Sequence, residues 1–119
     1  MANDRELVDD LLPLPQAMFH ILVALADQDR HGYAIMQDVA DRTNGALKLS
    51  AGTLYRSIAR MVEQGLITEV TKRRPADDDS RRRYYRLTPF GTAVARAEMR
   101  RLSQLVQMAR ARGLKPETA

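Results

Sequence analysis

Between Ser50 and Leu66 the sequence reads SAGTLYRSIARMVEQGL, a segment that marks both of its own ends. Ser50 is a good N-cap for a helix from Ala51 to Gln64, because its hydroxyl can accept from the unpaired amides of the first turn. Leu54, Ile58, Met61 and Val62 fall at i, i+4, i+7 and i+8 and make one apolar face. Gly65 supplies the left-handed residue that closes the helix, and Leu66 is expected to fold back onto Met61. The opposite face carries Thr53, Arg56, Ser57 and Arg60, with Tyr55 at its border and no acidic residue before Glu63.

The apolar face of this helix needs neighbours, and two amphipathic segments precede it. After Pro13 and Pro15, the stretch Gln16 to Ala26 repeats Met18, Ile21, Leu22 and Leu25 at helical spacing. The polar run Asp27 to His31 interrupts it. A second helix opens at Gly32, carries Ile35, Met36, Val39 and Ala40, and ends near Asn44 and Gly45. Leu47, Lys48 and Leu49 alternate apolar with basic over a length too short for a helix, which predicts a minimal strand. Beyond Leu66, Ile67 to Arg73 and Arg82 to Leu87 have the β-branched and aromatic content of strands. Pro75 to Arg81 between them has the polar make-up of an exposed tip. Thr88 followed by Pro89 is a strong start for a last helix, which should run to about Arg112 before Gly113. The order helix, helix, short strand, helix, strand, tip, strand is that of a winged helix. The fold class is therefore mainly α with a small β-hairpin (α+β), a winged helix-turn-helix followed by a C-terminal helix.

Composition narrows the function classes. The 119 residues are enough for one compact domain with a protruding helix, and the organisation divides into an acidic extension (1–12), a winged-helix domain (13–88) and a C-terminal dimerisation helix with its tail (89–119). Without cysteine, disulfides, thiolate nucleophiles and the commonest zinc sites are excluded. Stability has to come from packing. The acidic start lacks the basic and apolar segments of a secretory signal, and no apolar run suits a membrane span, so the expected location is the cytoplasm. Charge is unevenly spread: residues 1–47 hold three Lys/Arg against eight Asp/Glu, residues 48–86 ten against five, and residues 87–119 six against two. A polyanion would favour the middle of the chain.

That middle segment contains the helix described first and the hairpin after it. In winged-helix modules the third helix fits the major groove of DNA and the wing lies on the flanking backbone. Candidate contacts on the helix are Thr53, Arg56, Ser57 and Arg60, with Tyr55 bordering them. On the wing they are Lys72, Arg73 and Arg74 entering the tip and Arg81, Arg82 and Arg83 leaving it. Asp77, Asp78 and Asp79 at the tip would repel phosphate, so they either point away or pair with the neighbouring arginines. They lack the spaced ligands and glycine of a calcium loop, and no metal or cofactor is expected. Gly52, a poor helix former in the first turn, fits either close approach to a phosphate or tight packing on a neighbouring helix. His20 and His31 have no companion ligands or nucleophile, which argues against an enzyme. The alternative from another class is a winged-helix protein-protein interaction module, but arginines and hydroxyls on the third helix suit nucleic acid better than a protein surface. RNA stacking is disfavoured by only six aromatic side chains.

Several short motifs together resemble the PadR family of regulators: His31-Gly32-Tyr33, Gly52-Thr53-Leu54-Tyr55, Glu63-Gln64-Gly65-Leu66-Ile67, Arg83-Tyr84-Tyr85-Arg86-Leu87-Thr88 and Gly91. The resemblance runs from about Leu14 to Glu98. It implies a winged-helix domain, a C-terminal dimerisation element, operator DNA bound by a homodimer, and usually repression relieved by a small molecule or another signal. Carried over by position, the DNA-facing residues fall on Ser50, Thr53, Tyr55, Arg56 and the wing arginines. Tyr33 is either a backbone contact or a packing residue. Many relatives have proline where this chain has Arg56, which adds a cation on the DNA-facing helix.

The last helix carries its own pattern. Ala95, Met99, Leu102, Val106 and Ala109 are spaced by four, three, four and three, an a/d seam of the kind that pairs two helices. Part of it could pack on the first helix of its own domain, but its distal half extends past what three short helices and a hairpin can cover.

Overall fold

The computed structural model describes residues 4–71 and 83–117. The wing tip lies outside the described residues, and with it the expected contacts Lys72, Arg73, Arg74, Arg81 and Arg82 and the acidic run Asp77 to Asp79. The elements are α1 (Asp4–Asp9), α2 (Gln16–Ala24), β1 (Arg30–His31), α3 (Gly32–Arg42), α4 (Ala51–Glu63), β2 (Ile67–Thr71), β3 (Arg83–Leu87) and α5 (Pro89–Ala111). Helices α2, α3 and α4 enclose the core with β2, β3 and the start of α5. Ile21, Leu22, Ile35, Val39, Leu54, Met61, Leu66 and Val94 are completely buried there. Burial of each such side chain stabilises the fold by about 1.5–3 kcal/mol.

The local signals act as expected at both ends of α4. The Ser50 hydroxyl accepts from the Thr53 amide at 3.1 Å. At the other end Gly65 has φ 78°, and the Leu66 amide donates to the Met61 carbonyl at 2.9 Å, which turns Leu66 back into the core. Val62 departs from the expected apolar face: it sits at the edge of the stripe and is exposed.

The strand expected at Leu47 to Leu49 does not form. Its first amide is already satisfied, because Leu47 donates to the Thr43 hydroxyl at 3.1 Å, while Leu47 and Leu49 pack half-buried against the core. The third strand is instead β1, inside the polar stretch before α3. The antiparallel sheet has the order β1-β3-β2, with Arg30 opposite Tyr85, His31 opposite Tyr84 and Val70 opposite Tyr84. Side chains hold β1 where apolar periodicity gave no sign of it. Arg30 Nε donates to the Ala24 carbonyl at 2.7 Å, and Arg86 of β3 donates to both carboxylate oxygens of Asp29 at 3.0 and 2.8 Å.

Helix α5 starts on the end of α4. The Thr88 hydroxyl caps it by accepting from the Gly91 amide at 2.9 Å and also donates to the carbonyls of Gly65 at 2.6 Å and Leu66 at 3.0 Å. Gly91 passes so close that a Cβ there would lie 1.9 Å from the Leu66 carbonyl oxygen. Further along, Glu98 accepts from the Leu14 amide at 2.8 Å and from Arg101 Nε. The acidic extension is not merely polar chain, since its α1 packs on α5 with Val8 buried.

Candidate nucleic-acid interface

Helix α4 presents one face to the core and the other to solvent because its apolar residues recur with the helical period. Gly52, Tyr55, Arg56, Ala59 and Arg60 are exposed on the outward side, and Thr53 and Ser57 are half-buried beside them. Ser50 and Thr53 join their hydroxyls at 3.0 Å at the helix start. Arg56 and Arg60 have no ion-pair partner among the described residues. Two uncompensated guanidinium groups and two hydroxyls thus share one helix face, a donor-rich surface matched to acceptor-rich partners.

The two candidate tyrosines lie at the junction of α3 and α4. Tyr33 is 60% exposed and Tyr55 52% exposed. Tyr33 Oη accepts from Gln37 Nε2 at 2.8 Å, so Gln37 belongs to the same surface. Tyr55 lays its ring against the start of α3, where a Cβ on Gly32 would meet its hydroxyl at 2.6 Å. Gly32 is therefore the space into which Tyr55 fits, and Tyr55 fixes the relation of the two helices as well as bordering the outward face. Gly52 has open space where a side chain would stand, which excludes tight packing as the reason for that glycine.

Other cations are partly committed. Arg83 lies 3.5 Å from Glu69 across the hairpin. Arg86 is held by Asp29, whose hydrogen bond and charge raise its pKa and keep it fully ionised. Asp38 takes Arg42 at 2.7 Å and Arg30 at 3.7 Å. Lys48, expected in a minimal strand, is exposed two positions ahead of the Ser50 cap and so adds a cation before the start of α4. Among the described residues no group of acidic, histidine or cysteine side chains could hold a metal, and no helix is long and apolar enough to cross a membrane.

The seam residues of α5 lie away from this face. Met99, Leu102 and Val106 are exposed, while Ala95 and Ala109 are partly covered. Leu105 and Met108 are exposed as well, so the apolar surface is wider than the heptad pattern. Their lack of heptad spacing hid them, whereas plain hydrophobicity would have found them.

Residues 21–97 match the sequence profile of the Transcriptional regulator PadR-like family. The chain is 34% identical over 88 residues to the transcriptional regulator Rv3488 of Mycobacterium tuberculosis, covering 74% of this chain and 77% of that protein. A transcriptional regulator from Clostridium thermocellum superimposes with TM-score 0.68 at 26% identity, covering 82% of this chain and 92% of the other. The structure of Bacillus subtilis PadR in complex with operator DNA shares the fold, with TM-score 0.62 at 18% identity over 73% of this chain and 48% of that one.

Proposed function

Because the chain belongs to the PadR-like family of transcriptional regulators, we propose that it binds a specific, roughly palindromic operator as a homodimer, acts as a repressor and is released by a small-molecule effector. The observation that carries this reading is the outward face of α4, where Arg56 and Arg60 have no ion-pair partner among the described residues and no acidic residue precedes Glu63 in the helix. An α-helix fits the major groove, and an arginine there can pair with both acceptors of a guanine edge. Thr53 and Ser50 at the helix start, with Tyr33 and Lys48 beside them, suit phosphate contacts that set register. The operator complex of Bacillus subtilis PadR, a protein of the same fold, supports duplex DNA as the partner.

The wing supplies the backbone clamp in this reading. Lys72, Arg73, Arg74, Arg81, Arg82 and Arg83 would neutralise phosphates on the flank, independently of sequence. The exposed apolar face of distal α5 supports the homodimer, since a twofold pair would place two α4 helices about one DNA turn apart, or a multiple of it.

The test is a titration of Arg56→Ala on an operator selected from genomic fragments. Affinity for the operator should fall by about 1 to 3 kcal/mol and the preference over random DNA should narrow. Equal losses on operator and random DNA would make Arg56 a phosphate contact. No loss on either would remove α4 from the groove.

A further inference from the structure

A cleft of about 580 Å³ is lined jointly by α1, Leu12 and the flank of α5. It lies on the side of α5 that neither the α4 surface nor the apolar seam uses. Ala93, Ala97, Arg100 and Gln104 line it from α5. The seam residues Ala95, Met99, Leu102 and Val106 each come two positions later, roughly 200° around the helix. A partner helix on the seam therefore leaves the cleft open.

Its lining has two parts. The floor is aliphatic, from Val8 and Leu12 on one side and Ala93 and Ala97 on the other, and no aromatic ring takes part. The rim is cationic: Arg5 comes from α1, and Arg100 and Arg101 come from α5 with Gln104 beside them. Arg101 is committed to the buried Glu98, but Arg5 and Arg100 have no ion pair or side-chain hydrogen bond among the described residues. Among the described residues Asp9 is the one acidic side chain in the lining, and it offsets only part of that charge.

Unpaired guanidinium groups over an apolar floor fit one kind of small molecule. We infer that the cleft between α1 and α5 binds an aliphatic carboxylate, its chain on Val8, Leu12, Ala93 and Ala97 and its head group between Arg5 and Arg100. Arginine is suited to the head group because its planar fork pairs with both oxygens of a carboxylate. The volume falls in the range of roughly 300–1,000 Å³ common to small-ligand sites. The aliphatic floor sets the second preference: with no ring to stack on, flexible chains gain by apolar contact alone. A neutral alcohol of the same length lacks the charge-assisted pair, and a cation of the same length meets the arginines.

Octanoate, with octan-1-ol and octyltrimethylammonium as controls, provides the test. Each is titrated into the full chain while backbone amide shifts are followed by NMR. Octanoate should bind saturably and perturb residues 5–12 and 93–104, with the alcohol and the cation at least roughly tenfold weaker. Arg5→Gln and Arg100→Gln should each weaken octanoate by about tenfold. Ala93→Leu, which fills the floor and keeps the charges, should block it. All three positions are exposed and outside the DNA-facing surface, so operator affinity without octanoate should not change. The inference is overturned if octanoate fails to saturate, if octan-1-ol binds equally well, if the shifts centre on the Met99 to Ala109 seam, or if the arginine variants bind as before.

Discussion

The proximal half of α5, Pro89 to Glu98, and its distal half, Met99 to Ala111, belong to one unbroken helix and follow different rules. Every buried residue of α5 lies in the proximal half: Gly91, Val94, Ala97 and Glu98. The distal half has none, yet it carries Met99, Leu102, Leu105, Val106 and Met108, all exposed. The proximal half is fixed by contacts within the chain, through the Thr88 cap, the close pass of Gly91 over Leu66 and the Glu98 bridge to Leu14. The distal half continues an apolar pattern past the point where its own domain ends. Five large apolar side chains in water are a standing free-energy cost that a second surface would remove, at about 1.5–3 kcal/mol for each fully buried. The contrast sorts substitutions into those that unfold the chain and those that separate it from a partner.

The largest expected effect is at the proximal end. Gly91→Ala puts a methyl group where the Leu66 carbonyl oxygen already stands. Backbone cannot yield as a flexible side chain can, so the loss of folding stability should be on the order of 4 kcal/mol. Chemical denaturation of wild type and variant checks this. A loss below about 1 kcal/mol would mean that the start of α5 is not fixed to α4.

Leu102→Glu comes next and acts on the other half. The variant should remain folded, because Leu102 makes no contribution to the core, and should lose the proposed dimer. A carboxylate buried without a partner in that seam should raise the dissociation constant by about a hundredfold or more. Sedimentation and operator binding on the same preparation report the outcome. Folded monomers that bind the operator weakly are expected, and a variant that stays dimeric would put the interface elsewhere.

These two positions also show what could be seen in the sequence. The Ser50 and Thr88 caps and the Gly65 turn are local, and local rules identified them. Two errors arose where tertiary contacts decide. Leu47 to Leu49 has a strand-like alternation, but Thr43 takes the Leu47 amide. Arg30 and His31 have no apolar pattern, and they become a strand because Tyr84 and Tyr85 lie opposite. Glu98 was invisible for the same reason. A glutamate on a helix flanked by arginines is expected in solvent, yet it is only 2% exposed, because its acceptor meets an amide far away in sequence. On the α4 surface, Arg56, Arg60 and Thr53 followed from the helical period, whereas the seating of Tyr55 on Gly32 required the packing of two helices.

Glu98 gives a smaller and pH-dependent effect. Arg101 donates to its carboxylate and holds its pKa below the ordinary 4.5, and the Leu14 amide adds to that while burial opposes it. The folded state therefore favours the ionised form. The corresponding stability is fully present above pH 4.5 and is lost as pH falls through the lower folded value. Glu98→Gln keeps an acceptor for Leu14 and loses the charge, so at neutral pH it should cost about 1 to 2 kcal/mol. The difference from wild type should shrink as pH drops below 4.5. Denaturation curves across that range test the sign, and a difference that grows toward acid would refute the assignment.

The smallest effect on folding is expected at Leu105, and it sharpens the comparison most. Leu105 falls on the stripe begun by Val94, Glu98 and Arg101, the side of α5 that faces its own domain, but three turns on from Val94 that domain has ended and Leu105 is exposed. Leu105→Gln should therefore change the free energy of unfolding, measured on dilute monomer, by no more than about 0.5 kcal/mol. In the proposed dimer Leu105 flanks the Leu102 and Val106 seam, where side chains cover the edge of the interface. The same substitution should then raise the dissociation constant by about fivefold to tenfold, well short of Leu102→Glu. An unchanged dissociation constant would confine the interface to the heptad positions. A loss of more than about 1 kcal/mol in the monomer would show that distal α5 folds back on its own chain, and the distinction between its two halves would fail.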